Sequence, residues 1–501
     1  MVEPYRHLHI APLHKSTPGF KAVFYLVGLV LVATAGMMLF PMAVDLYYGN
    51  REWRVFAASA LVTASVGACL AYGSKGALKD GLTIRQAFTL TPLSWFSVAA
   101  ASAVPFYLAE YGSVSGDASN AMFEAVSGIT TTGATVLSGL DDAPPGLLLW
   151  RALLQWLGGI GIIVTAIAIL PTLGIGGMQL FRTESSDRSE KALPRMRQFA
   201  IVLGLVYLGL TVLAALSYWL AGMRPFEAIA HALTSISTGG YSTSDASFGK
   251  WEENGIQWMA AVFMLAGSLP FVLYVRFIAG ERKALWDRQV KTMLAAIGVV
   301  ALMVGTWLLV SGQYAFEAAF RHAVFNVVSV VTTTGFATAD YSLWGNAVLG
   351  VFFVLLFVGG CTGSTSGGMK IFRLEVMAVM LKGHFMRLLY PNGVFSRTYG
   401  ERTLSDDVVG SVAAFMTVFL LVYAVVTVVL MGFNLDFMTS ASSAATALSN
   451  VGPGLGPIVG PAGNFSALPD GAKWVLCLSM LLGRLEIFTL LILFLPRFWR
   501  G

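Results

Sequence analysis

Residues 318–340 read AAFRHAVFNVVSVVTTTGFATAD, and the rest of the chain is organised around them. A short run of mixed apolar and polar residues leads into three threonines and Gly335, after which the chain turns polar. The run is too short to cross a bilayer, which takes about 20 apolar residues, yet apolar segments of spanning length flank it. A half-length helix stopping at Thr-Thr-Thr-Gly between two spans is the outline of a re-entrant pore loop. Extended backbone at membrane depth is tolerated only where it is buried in protein or lines a wet cavity. The threonines and glycine therefore present carbonyl oxygens to whatever passes.

Three further copies follow the same plan: 123–136, FEAVSGITTTGATV; 226–242, FEAIAHALTSISTGGYS; and the more divergent 437–455, which ends ALSNVGPGL. Aligned on the glycine, the four key positions are Gly133, Gly240, Gly335 and Gly452, about a hundred residues apart. A repeat of that length, each unit carrying span, loop and span, sets the architecture. Turn chemistry alone does not demand a Thr-Gly turn at the same position of every unit.

With 56% hydrophobic and 12% charged residues and a mean hydropathy of +0.71, the chain is an integral membrane protein; soluble domains carry about 25% charged residues. Cys69, Cys361 and Cys477 sit in apolar context and give neither a disulfide framework nor metal-ligand spacing. The pI near 9.0 reflects topology rather than nucleic-acid binding, because the basic residues cluster in a few loops. No cleavable signal peptide is expected, since residues 1–19 are polar and the first apolar run is too long for one. An intramembrane hydrolase is excluded by the lack of an HExxH and of a plausible acid pair within one span.

Ten spans follow from the apolar runs: 22–44 and 55–72, which stand outside the repeat; then 92–109 and 146–170, 198–220 and 256–278, 292–310 and a segment from Asn346, 408–431 and 474–495. The expected fold is an all-α integral membrane protein with four span–loop–span repeats around one pore plus two extra N-terminal helices. The expected units are 1–85 (N-terminal pair), 86–197, 198–290, 291–403 and 404–501. The densest basic loops, 182–197, 276–291 and 370–402, lie on the side of both termini, which makes that side cytoplasmic. The pore loops then open from outside, under acidic residues Asp141, Asp142, Glu252 and Glu253 that either concentrate cations or merely solvate a loop.

A monovalent cation must shed water to cross, and a ring of carbonyls can replace that shell. Glycine suits the narrowest point because it reaches angles closed to other residues. Each loop helix would also aim its partly negative C-terminus inward. The loops contain no acidic ring, which argues against a divalent-cation filter.

The motifs TTTGATV, STGGYS, TTTGF and SNVGPG, with QWLGGIGIIV after the first loop, resemble the Trk/Ktr/HKT potassium transporters. The two additional N-terminal spans and the NVGPG loop are similar to the bacterial TrkH-type subunit. The resemblance implies potassium as substrate, with no cofactor in this chain. Its filter would comprise Gly133, Gly240, Gly335 and Gly452 with the carbonyls of Thr131, Thr132, Thr238, Gly239, Thr333, Thr334, Asn450 and Val451. Members with serine at the first glycine tend to favour sodium, so Gly133 points to potassium. It further implies a homodimer in the bacterial inner membrane, docked on a cytoplasmic ring of nucleotide-binding (NAD or ATP) regulatory subunits. The chain has no GxGxxG of its own. Parallel repeats about an axis along the membrane normal differ from the inverted repeats of many coupled carriers, yet symport with protons or sodium stays open as the alternative to a gated pathway.

Two features mark the inner side. Residues 346–382 are too long for one crossing, and their middle, 359–370, reads GGCTGSTSGGMK. Glycine costs a helix about 1 kcal/mol per residue, so the helix is expected to break there, either around a gating loop or for small-residue packing. The resemblance makes this loop the gate, with Gly359, Gly360, Gly363, Ser364, Gly367, Gly368 and Lys370. Arg484 lies midway along the last expected span, which is costly unless it faces water or a partner; Glu486, two residues on, points to another face. Arg484 either bridges to another helix or faces the pore as a barrier to cations, and the resemblance supports the pore. His231 and His322 lie at different offsets from their glycines, so a shared role is not expected.

Overall fold

The computed structural model describes residues 19–77, 82–164, 192–252, 255–393, 395–400 and 402–500. Residues 1–18, the stretch 165–191 with most of the first basic loop, and Glu253 lie outside the described residues. Among the described residues the secondary structure is helical except for a two-residue antiparallel ladder pairing Thr398–Tyr399 with Arg402–Thr403 and an isolated parallel bridge between Val358 and Met369.

Among the described residues seven helices are long and apolar enough to cross a membrane, and two bent pairs raise the number to nine. The broken segment after Asn346 is the remaining expected crossing. The N-terminal pair is a 28-residue apolar stretch, Lys21–Tyr48, packed against Trp53–Gly73. Asp45 joins this pair to the first repeat: its Oδ1 accepts from the Gly146 N–H at 2.7 Å. A carboxylate at the start of Pro145–Val164 satisfies an orphan donor and complements the helix dipole. The next span starts earlier than its apolar run, at Ile84, because Thr83 and Gln86 form a reciprocal capping box.

Four short helices, Ala118–Ile129, Pro225–Ile236, Phe316–Val331 and Phe437–Ser449, are the expected loop helices. At about 1.5 Å per residue none spans the roughly 30 Å hydrocarbon layer. Their packing is cyclic. The first three lie against the spans of their own repeat and against the second span of the repeat before, the first of them meeting Asp470–Arg484 of the last repeat. Each therefore ends deep inside the molecule.

The second spans depart from the expectation of continuous helices. The segment 256–278 is two helices, Ile256–Ser268 and Phe271–Ile278, bent by 91°. Pro270 lacks an N–H and pushes Leu269 into extended backbone. The carbonyls freed by that break accept from the third repeat: Ser268 from the Cys361 N–H at 3.1 Å and Gly267 from the Thr365 N–H at 3.3 Å. The last span also breaks, with 108° between Asp470–Arg484 and Phe488–Phe494. Arg484 is thus the final residue of a helix, where the dipole favours a cation, at the break midway along the bent pair 470–494. Glu486 sits in the bend at φ 60° and pairs with Arg373. The third break falls where the glycines indicate it: Asn346–Leu355 stops, residues 356–370 are irregular, and Ile371–Leu389 resumes.

Candidate ion pathway

Each short helix ends in the same turn. Thr131, Thr238, Thr333 and Asn450 take left-handed φ values of 53°, 49°, 56° and 54°. The next residue donates its N–H back to a carbonyl six before the glycine: Thr132 to Ser127 at 2.9 Å, Gly239 to Thr234 at 2.8 Å, Thr334 to Ser329 at 2.8 Å and Val451 to Thr446 at 3.0 Å. This is a Schellman cap, usually built on glycine. A β-branched residue at positive φ is an outlier that costs about 1–3 kcal/mol and persists where surroundings over-determine it.

The four loops close into a ring. Gly133, Gly240 and Gly335 have φ of 84°, 82° and 83°, and Gly452 has 112°. A methyl group added at Gly133 would overlap the carbonyl oxygen of Gly239. One at Gly240 would overlap that of Thr334, and one at Gly335 that of Val451. At Gly452 it would lie 2.8 Å from the Thr132 oxygen. Each glycine thus packs against the residue preceding the glycine of the next loop, and the fourth returns to the first. Eight of the twelve expected filter residues meet in this ring, and Thr131, Thr238, Thr333 and Asn450 are the left-handed turn residues that precede them.

Sequence periodicity did not disclose the supports behind it. Nine residues before the glycines stand Glu124, His231, Asn326 and Ser443. Three of these hold the chain that climbs away from the ring. Glu124 accepts from the Val136 N–H at 3.0 Å, His231 Nε2 pairs with Ser242 Oγ at 3.0 Å, and Asn326 donates to Thr338 Oγ1 at 2.8 Å. In the fourth loop the adjacent Ser442 substitutes, accepting from the Leu455 N–H at 3.0 Å. His231 therefore corresponds to Glu124 and Asn326 rather than to His322, an equivalence that alignment on the glycines makes visible. The repeated FEA tripeptides are not equivalent, because Glu227 and Glu317 lie outward and pair with Lys250 and Arg321.

Glu124 is fully buried and pairs with Arg151 Nε at 2.7 Å. Breaking a buried pair by deleting one partner costs about 3–5 kcal/mol, because the other charge is left uncompensated. Glu124→Ala is therefore expected to lower the melting temperature of the purified protein sharply, by fluorescence-monitored unfolding. An unchanged melting temperature would show that Arg151 finds another acceptor.

Beneath the ring lies the irregular segment 356–370, and the two touch directly. Gly367 N–H donates to Thr333 Oγ1 at 2.7 Å, and Thr238 Oγ1 donates to Thr365 Oγ1 at 3.0 Å. A methyl group at Gly367 would overlap the Ser449 carbonyl. Thr238 and Thr333 thus place their hydroxyls on this segment, whereas the buried Thr131 hydroxyl has no partner. Lys370 Nζ donates to the Ser366 carbonyl. Arg484 Nη1 donates to the Thr365 carbonyl at 2.9 Å and Nη2 to that of Gly158 at 3.4 Å. Arg484 is buried, its Nε has no partner, and among the described residues it forms no ion pair. Gly359, Gly360, Gly363, Ser364 and Gly368 complete the segment: Gly363 and Gly368 have φ of 81° and 65°, the Gly360 carbonyl accepts from the Ile371 N–H at 3.1 Å, and the Gly359 N–H donates to the Met369 carbonyl at 2.9 Å.

Above the ring a cavity of about 290 Å³ is lined by Gly133, Gly240, Gly335 and Pro453, so all four loops reach it. Its carboxylate is Asp245, which accepts from the Gly139 N–H at 2.7 Å. Asp141 does not line the cavity; burial would raise its carboxyl, but bonds from Lys250 and Ser244 outweigh that and hold it below the ordinary carboxylate value. A carboxylate so engaged adds little to cation attraction, and Asp245 is the better placed.

Four span–loop–span repeats whose loops close one ring define a multi-pass, all-α membrane protein. The chain belongs to the TrkH family of cation transport proteins, whose sequence model matches residues 54–500. The potassium uptake protein TrkI of Halomonas elongata is 46% identical over 417 residues, covering 83% of this chain and 84% of that protein. TrkH of Escherichia coli is 36% identical and covers 96% of this chain and 99% of that protein. The crystal structure of the potassium transporter TrkH from Vibrio parahaemolyticus superposes with a TM-score of 0.88 at 36% identity, covering 96% of this chain and all of that one.

Proposed function

We propose that this chain is the membrane subunit of a bacterial potassium uptake system and passes potassium through the four-loop ring. The carrying observation is that the glycines meet the preceding residues of neighbouring loops in cyclic order. The carbonyls of Thr131, Thr132, Thr238, Gly239, Thr333, Thr334, Asn450 and Val451 replace the water of the ion, and the glycines set the width. The segment 359–370, with Lys370 and Arg484, closes the path below. Each repeat, with boundaries near 86, 198, 291 and 404, contributes one loop, and the helix pair Lys21–Tyr48 and Trp53–Gly73 of the N-terminal unit 1–85 braces the first. Relatives named for a Trk system support a multi-component assembly. In it a homodimer in the inner membrane, both termini cytoplasmic, docks a ring of nucleotide-binding subunits on its basic loops.

Rubidium influx into liposomes holding the purified chain tests the reading. Influx is expected to be suppressed by external potassium and far less by sodium. Equal suppression by both ions would sink potassium selection. Influx that depends on a proton or sodium gradient would instead establish symport.

A further inference from the structure

The second loop reads Ser237-Thr-Gly-Gly where the first and third read Thr-Thr-Thr-Gly. In those two loops the threonine before the glycine bonds the threonine two residues earlier: Thr130 with Thr132 and Thr332 with Thr334, both at 2.8 Å. That bridge ties the outer end of the turn to its start. Gly239 has no side chain to make it, and two glycines in a row are the least constrained backbone available. Yet Gly239 is not loosely held. Gln155, buried in the second span of the first repeat, donates from Nε2 to the Gly239 carbonyl at 2.6 Å and accepts the Tyr241 N–H at 3.0 Å. A methyl group added at Gly239 would overlap the Gln155 carboxamide. The amide thus occupies the volume that a side chain at 239 would fill, and it spans the ring glycine by bonding the residues on both sides. One turn earlier on the same helix, Arg151 donates to the Ser242 carbonyl at 2.9 Å, so one face of that helix grips the whole outer limb of loop two.

We infer that Gln155 is a positioning residue for ion selection, a side chain lent by the first repeat to replace the one loop two lacks. It also draws on one of the carbonyls assigned to the ion, which makes the second loop's share of the ring unlike the other three. The inference rests on the filter reading proposed above. Without Gln155 the Gly-Gly turn is free to move inward and fit a smaller ion.

The test compares Gln155→Ala, Gly239→Thr and the double variant, each as full-length protein in liposomes, by rubidium influx with increasing sodium. Gln155→Ala is expected to fold and to raise sodium competition about tenfold. Gly239→Thr places a side chain in occupied volume and should lose most influx per folded molecule. The double variant removes the obstruction and restores a threonine able to bridge to Ser237, so it is expected to recover influx and sodium discrimination that neither single variant has. Such mutual rescue is a coupling between the two positions that general destabilisation does not produce. Gln155→Met, close in size but without the amide, serves if the alanine variant folds poorly, and should behave like it. Wild-type sodium competition in Gln155→Ala or Gln155→Met, or a double variant no better than Gly239→Thr, overturns the inference. Gly133→Ser run alongside separates the two levels. A shift there with none at Gln155 removes only this assignment, whereas no shift at either removes the filter reading itself.

Discussion

Gly133→Ser is expected to let sodium compete with rubidium at least tenfold better than in the wild type, equivalent to about 1.4 kcal/mol of lost discrimination. Gly133 sits at φ 84°, where a side chain is strained whatever the space, and any Cβ there overlaps the Gly239 carbonyl. The added side chain must push that carbonyl aside or shift its own loop. Either movement disturbs the cyclic packing of the four loops that the proposed filter rests on, while a serine hydroxyl adds a ligand a smaller ion can reach. The same substitution at Gly240 or Gly335 meets the Thr334 or Val451 carbonyl and should act more severely, through loss of influx. Gly452 has more room, 2.8 Å from the Thr132 oxygen, so its serine variant should be the mildest of the four. Sodium competition measured across the series checks this order, and an equal effect at all four would contradict the unequal packing.

The ring was legible because its signal is repeated: four glycines at like positions between apolar runs, each preceded by a short helix. The break at 356–370 was legible because five glycines in twelve residues cannot pay for a helix. The other two breaks were not. Pro270 was a readable mark, but the apolar run hid it, and hydropathy registers composition rather than hydrogen bonds. The bend at Leu485–Ile487 carries neither proline nor glycine, and what turns the chain is tertiary: Glu486 reaches Arg373 on another helix. The supports behind the ring escaped for a different reason. Glu124, His231 and Asn326 share a position and a task but no chemistry, so type-matching passed over them. Gln155 belongs to a different repeat from the loop it holds, and no local pattern points there.

Arg484→Ala is expected to raise rubidium influx per folded molecule tenfold or more, with sodium competition little changed. A cation passing within about 5 Å of a unit positive charge meets about 3 kcal/mol of repulsion at an effective dielectric near 20, and no carboxylate among the described residues pairs with this arginine. The guanidinium also pins the segment below the ring through Thr365 and the first repeat through Gly158. On the proposed gate, removing it both lowers the charge barrier and loosens the segment 359–370. Arg484→Lys separates the two effects, because lysine keeps the charge but lacks the planar fork that reaches both carbonyls. Low influx in Arg484→Lys would assign the barrier to charge, and high influx would assign it to the anchoring. Shortening the segment between 363 and 367 is a less specific route, since it removes the partners of Thr238 and Thr333 and should disturb ion choice as well as gating. Unchanged influx in Arg484→Ala, with a lowered melting temperature, would make the arginine a structural anchor and remove it from the gate.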